Sequence, residues 1–215
     1  MHRLRVRFKR GQEVKFISHL DLIRLWQRAV HRARIPVAYS EGFSPHPRIS
    51  LAAPLAIGVT SEAELMDVYL NKWVSPHFFT NALGQQLPSG IEIIQVYPIT
   101  TNQPSLQSKV RFAEYRVTVE TEQDKPDVEA AIDNLLSTEY LPWQHYRDTG
   151  PRNYDLRALI DDLWLADYYH PYYTIGMRLR CDSNGSGRPE QVTLALGFPQ
   201  YPQSIHRTRL ILSTS

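Results

Sequence analysis

Two histidines and an arginine in the first fifty residues carry most of the chemistry this chain can offer: His19, His46 and Arg48. Histidine changes charge nearest to neutral pH, so each ring can act as an acid, a base or a hydrogen-bond donor. His46 and Arg48 flank Pro47 and follow Pro45 in the stretch YSEGFSPHPRIS, residues 39–50. Prolines fix φ and reduce the entropy lost on binding, so this loop is expected to hold both side chains ready for a ligand. Arg48 suits paired hydrogen bonds to a phosphate, and Tyr39 and Phe43 suit stacking on bases. The competing reading is a rigid loop whose aromatics complete the core.

Ser18, His19 and Asp21 have the residue types of a nucleophile, a base and an acid. Their spacing argues against that use. A serine at a helix N-cap spends its oxygen on backbone N–H groups, and adjacent helical residues do not face one another. No catalytic residue is assigned, with His19 and His46 kept as the candidates for acid–base work. His19 is expected at the positive end of a helix, a natural place for an anion. No acidic or cysteine partner stands at ligand spacing from the two histidines, so neither a metal nor a cofactor is expected. A single cysteine, Cys181, excludes an internal disulfide and a cysteine-bound cluster.

The elements that must position these groups follow from periodicity. Leu4, Val6 and Phe8 alternate with Arg3, Arg5, Arg7 and Lys9, the period-two pattern of a half-buried strand whose cationic face is expected to be open to water or anions. A helix over about residues 19–34 is capped by Ser18 and Asp21, buries Leu22, Trp26, Ala29 and Ala33, and shows Arg24, Arg28 and Arg32 with His31 to solvent. ELMDVYL (64–70) reads as a strand, SPHFFTNALGQQL (75–87) as a helix and GIEIIQVYPI (90–99) as a strand. The polar TTNQPSLQSK (100–109) reads as a linker.

A similar order then repeats: strand 113–120, helix 125–137, extended segments at 143–147, 154–165 and 172–181, a short helix at 188–198 and a closing strand at 204–212. Leu156, Leu159, Ile160 and Leu163 leave 154–165 equally open to a helix. The fold expected is α+β, two tandem ferredoxin-like (β-α-β-β-α-β) units, 1–100 and 111–215, joined by a linker at 101–110. SNGSGRPEQ (183–191) is read as a connection rather than a phosphate loop, and ADYYHPYY (166–173) as a packing or interaction surface.

Composition sets the partners. Of 215 residues, 42% are hydrophobic and 21% charged, an ordinary globular balance. Residues 1–50 hold eleven Lys/Arg against three acids, a net of +8, while the rest carry −6. Such segregation marks a face for phosphate-bearing partners. No apolar run approaches a membrane span, and the basic MHRLRVRFKR is not followed by a signal-peptide core, so a cytoplasmic protein with no membrane partner is expected.

Residues 16–69 resemble the signature of an uncharacterised bacterial family whose members occur fused to, or encoded beside, radical SAM proteins. The pieces that carry the resemblance are SHLDL (18–22), the arginine-rich helix ending in RA, PVAYSEGFSPHPRIS (36–50) and LAIGVTSEAELMDV (55–68), with weaker continuation at AEYRV (113–117), YDLRALI (154–160) and RPEQVTLALG (188–197). The resemblance implies a radical SAM protein as partner and a part in modifying RNA or another macromolecule. This chain lacks a C-x₃-C-x₂-C triplet, so the partner would supply the cluster. The expected function is an RNA-binding accessory protein that positions a structured RNA, or another substrate, for that partner. Its nucleic-acid-binding residues would be Arg3, Arg5, Arg7, Lys9, His19, Arg24, Arg28, Arg32, Tyr39, Phe43, His46 and Arg48. Two alternatives are a protein-interaction module that docks the radical SAM enzyme without RNA, and a metal-independent endoribonuclease, by analogy with the paired ferredoxin-like units of CRISPR repeat-processing enzymes.

Overall fold

Strand β1 (His2–Arg10) forms where the alternation predicts it, and its apolar side chains Leu4, Val6 and Phe8 are wholly buried. The computed structural model describes residues 1–147 and 150–213. Asp148, Thr149, Thr214 and Ser215, all within the expected C-terminal unit, lie outside the described residues. The chain is α+β and separates into two compact units, Met1–Val110 with Leu212–Ser215, and Arg111–Ile211. No helix among the described residues is long and apolar enough to cross a membrane.

In the N-terminal unit a 3-10 turn (Gln12–Val14) leads into α1 (His19–Arg32), then β2 (Ile49–Leu51), β3 (Thr60–Leu70), α2 (Pro76–Gly84), β4 (Ile91–Ile99) and a one-turn α3 (Leu106–Lys109). Strand β1 pairs antiparallel with β3 on one side and β4 on the other, and β2 adds antiparallel to β3, giving the order β4-β1-β3-β2. Helices α1 and α2 share one face of this sheet. Leu22, Trp26, Ala29 and Val30 from α1, with Phe79 and Leu83 from α2, meet Leu4, Val6, Phe8, Met66, Val68 and Leu70 in a single core. The Phe8 and Trp26 rings meet edge to face at 4.9 Å, the arrangement their quadrupoles prefer.

Local rules set the ends of α1. Ser18 Oγ accepts from Asp21 N at 3.1 Å and satisfies one of the free amides of the first turn. At the other end Arg34 adopts φ 53°, Ile35 N donates to Val30 O and Arg34 N to His31 O, the paired bonds of a Schellman stop. The helix is thus finished before Pro36 is reached.

In the C-terminal unit β5 (Val110–Glu120) is followed by α4 (Lys125–Ser137), β6 (Pro142–Arg147), β7 (Gly150–Asp155), a 3-10 turn (Arg157–Leu159), β8 (Ile160–Tyr169), β9 (Tyr172–Asp182), β10 (Gly185–Ser186), α5 (Pro189–Ala195) and β11 (Ser204–Leu212). Here the order is β11-β5-β9-β8, while β6 and β7 make a separate hairpin. The ambiguous stretch 154–165 is therefore the end of β7, a tight turn and the start of β8, not an α-helix. Its apolar spacing suits either form, and the long β8–β9 pairing decides it. That pairing is close because Gly176 leaves room for the Trp164 indole, which occupies the space where a Cβ would stand.

Two expectations fail on the sheet face away from α1. Arg3 and Arg5 are buried, at 2% and 5% exposure, rather than open to solvent. The reason is Asp67 of β3, which sits directly across from Arg5 and one step diagonally from Arg3. The stretch 100–109 is no free linker either. Arg3 donates to the carbonyls of Gln103 at 2.9 Å and Pro104 at 3.1 Å, and Leu106 of α3 is fully buried.

Candidate functional site

Asp67 accepts from both arginines of β1. Arg3 Nη2 lies 2.5 Å and Nε 3.0 Å from Oδ2, and Arg5 grips both oxygens through Nε at 2.8 Å and Nη2 at 3.0 Å. Burial alone would lower the Arg5 pKa, but the bonds to Asp67 and the contact with Tyr97 outweigh it and hold the guanidinium raised. These two cations are spent inside the fold and have little left to offer a partner. Arg10, also buried, donates to the carbonyls of Val14, Lys15 and Ile17, shaping the turn that delivers α1. Of the four cations expected on the open face, Arg7 and Lys9 are exposed, and Lys9 pairs with Glu92 at 3.2 Å.

The arginines of α1 are arranged otherwise. Arg24, Arg28 and Arg32 recur every four residues, so their stems rise along the helix about 6 Å apart. With Gln27 and His31, which fall between them on the same face, they form the floor of an open groove of about 570 Å³. Its wall is made by Tyr39 and Pro47, the two legs of the loop at residues 39–50. That volume falls within the range of about 300–1,000 Å³ typical of ligand clefts. Arg24 reaches Asp21 at 3.2 Å, an exposed pair of little energetic weight, and Arg32 donates to Gln86 O at 2.7 Å. Each guanidinium carries five N–H donors, so both keep donors for an anion.

The loop itself is a small hairpin. Tyr39 bridges Pro47, Ser40 N donates to His46 O at 2.9 Å, and Arg48 N donates to Ala38 O at 2.8 Å. Ser40 Oγ accepts from His46 N at 3.1 Å and lies 3.0 Å from the ring's Nδ1, which ties one side of His46. Gly42 takes φ 118° at the tip, where a side chain would be strained, and Phe43 beside it is fully exposed.

Besides Phe43 and the β1 cations, three candidates stand apart from the groove lining. Arg48 lies over the Tyr69 ring at 4.5 Å and directs Nη1 to Met1 Sδ at 3.3 Å. His46 faces solvent beyond the wall. His19 is half-buried at the head of α1, where burial and the positive charge of Arg10 push its pKa below 6.5, against a smaller opposite pull from Glu64. It stays neutral at physiological pH, half-buried rather than fully outward at the helix end. Gln27, His31 and Pro47 were missed as site residues. Helical spacing does place Gln27 between Arg24 and Arg28, so that signal was available.

A mixed α+β protein with a basic, aromatic-walled groove on its first helix is the class that fold and site define. The chain belongs to the family described as "Uncharacterized protein conserved in bacteria (DUF2344)", whose model matches residues 3–189. No curated protein matches it. Among solved structures it is similar to a chain in the crystal structure of a Cbf5-Nop10-Gar1 complex, at 7% identity and a TM-score of 0.53, covering 96% of this chain and 48% of that one. It is also similar to chains in the archaeal box H/ACA sRNP Nop10-Cbf5 complex and in an H/ACA RNP bound to a substrate RNA containing 2'-deoxyuridine. Both give a TM-score of 0.49, at 9% and 8% identity, and cover 96% of this chain and 47% of the other. The chain thus spans about half the length of the solved chains it matches.

Proposed function

We propose that this protein binds RNA in the groove of α1 and holds it for a radical SAM partner enzyme. One observation carries the RNA part: three arginines and a histidine share a nucleotide-sized groove with the exposed ring of Tyr39. Arginine forks suit phosphate oxygens, and an aromatic wall suits a base. The partner part rests on the resemblance of residues 16–69. In this reading the protein works in the cytoplasm and positions its substrate rather than transforming it. The order fourth-first-third-second, present in both units, supports reading them as tandem ferredoxin-like units, with 1–100 as the RNA-holding one.

Salt dependence is the direct test. Phosphate contacts release counterions, so log affinity should fall linearly with log salt, with a slope of roughly −0.7 per contact on single strands. Retention of cellular RNA on the immobilised protein, followed across a salt series, should drop steeply. No retention at low salt removes the reading.

A protein-docking role has one observation in its favour. Phe16, Leu20 and Ile57 are exposed near the head of α1, at 70%, 63% and 58%. Exposed apolar groups of this size suit a partner surface. Stable co-purification with the partner after nuclease treatment, with no RNA carried along, would favour that role over the groove.

A further inference from the structure

We infer that the hairpin 39–48 is a stacking finger that selects unpaired RNA bases; this rests on the RNA-binding reading and names the form of RNA the groove accepts. The finger is built to stay put. Its legs are bridged at Tyr39 and Pro47, cross-bonded from Ser40 to His46 and from Arg48 to Ala38, and anchored to β3 by Ala38 N donating to Tyr69 O at 2.7 Å. Asn71 Nδ2 adds a bond to Val37 O at 3.2 Å. Such bracing lowers the ordering cost of any contact made at the tip.

What the tip presents is a bare aromatic ring. Phe43 is 105% exposed, contributes nothing to the core and stands four residues from each leg of the groove wall. Tyr39, at 47% exposure, offers a second ring lower on the same finger. Aromatic faces at two heights beside a ladder of arginines match a strand whose phosphates lie along α1 while successive bases turn toward the finger. Paired bases inside a duplex cannot use these rings, because their faces are covered by their neighbours in the stack. The deep, narrow major groove of duplex RNA also admits no such finger. The occupant is therefore a single strand or a loop.

The test compares binding of a fluorescein-labelled oligoadenylate and a blunt RNA duplex of equal length by anisotropy at low salt. Wild type should prefer the single strand by roughly ten-fold or more, the scale of one to two stacked bases. Phe43→Ala should remove most of that preference and leave duplex binding unchanged, while Phe43→Trp keeps it. Because Phe43 packs on nothing, neither variant perturbs folding. Equal binding of both RNAs by wild type, untouched by Phe43→Ala, overturns the finger and leaves RNA binding standing. No binding of either RNA overturns both.

Discussion

The arginines of β1 and those of α1 lie within thirty residues of one another and look alike in sequence, yet they do opposite jobs. Arg3 and Arg5 are sealed against Asp67, whose side chain has no exposure at all, and Arg3 also holds the carbonyls of 103 and 104 in place. Arg24, Arg28 and Arg32 stand in water on the floor of a groove. Side-chain type does not separate the two sets; what faces them does. A strand residue is fixed opposite a particular partner on the next strand, and here β3 brings a carboxylate to that place. The α1 surface finds only exposed partners, Asp21 for Arg24 and the carbonyl of Gln86 for Arg32. Cations with a buried partner become structure, and cations without one are left for a ligand.

The largest effect expected from this contrast follows from Asp67→Ala. It strands two buried guanidiniums, and breaking a buried pair in this way costs about 3–5 kcal/mol. Urea unfolding should therefore shift sharply toward lower denaturant, whereas the affinity of the remaining folded molecules for RNA should hardly change. A variant as stable as wild type would mean that Arg3 and Arg5 are solvated after all, and the contrast would dissolve.

That contrast also shows what a sequence can and cannot reveal. The cap at Ser18, the buried stripe Leu22–Trp26–Ala29 and the solvent row of arginines are all local to α1, and each was legible from spacing. Helix α2 begins at its Ser75 cap with Pro76 for the same reason. The alternation in β1 showed correctly that Arg3 and Arg5 share a face. It could not show what lies opposite, because the register with Asp67 spans more than sixty residues. In 100–109 a single buried leucine, Leu106, gives no periodicity to read, so a polar composition passed for a linker. The groove stood between these cases. Its floor was written in the helix, but its wall depends on how residues 36–48 fold back.

A middle-sized effect tests the exposed set. Arg28→Ala removes one groove cation and no buried contact, so stability should move by less than about 0.5 kcal/mol. RNA affinity should weaken, and the slope of log affinity against log salt should become shallower by roughly 0.7 on a single strand. Anisotropy titrations at several salt concentrations measure both quantities. Weaker binding with an unchanged slope would show that Arg28 supports the groove's shape rather than meeting a phosphate.

The smallest effect lies where the two sets meet. His19 heads α1, and Arg10 of β1 sits close enough for its charge to disfavour protonation of the ring, with burial as the larger cause. The folded pKa is therefore below the 6.5 of the unfolded chain, and the unfolded state takes up the proton first. Stability should be unaffected by His19 well above pH 6.5, then fall as pH drops below it, and level off once the folded pKa is passed. Glu64 pulls the other way and narrows that window. His19→Gln cannot titrate, so the difference in unfolding free energy between wild type and variant should stay flat from pH 8 to about 7 and tilt against wild type toward pH 5.5. Urea midpoints measured across that range give the difference directly, with the other histidines cancelling between the two proteins. A flat difference throughout would mean that His19 feels neither its burial nor Arg10. The boundary between the structural and the ligand-facing cations would then lie between the strand and the helix, with no residue responding to both.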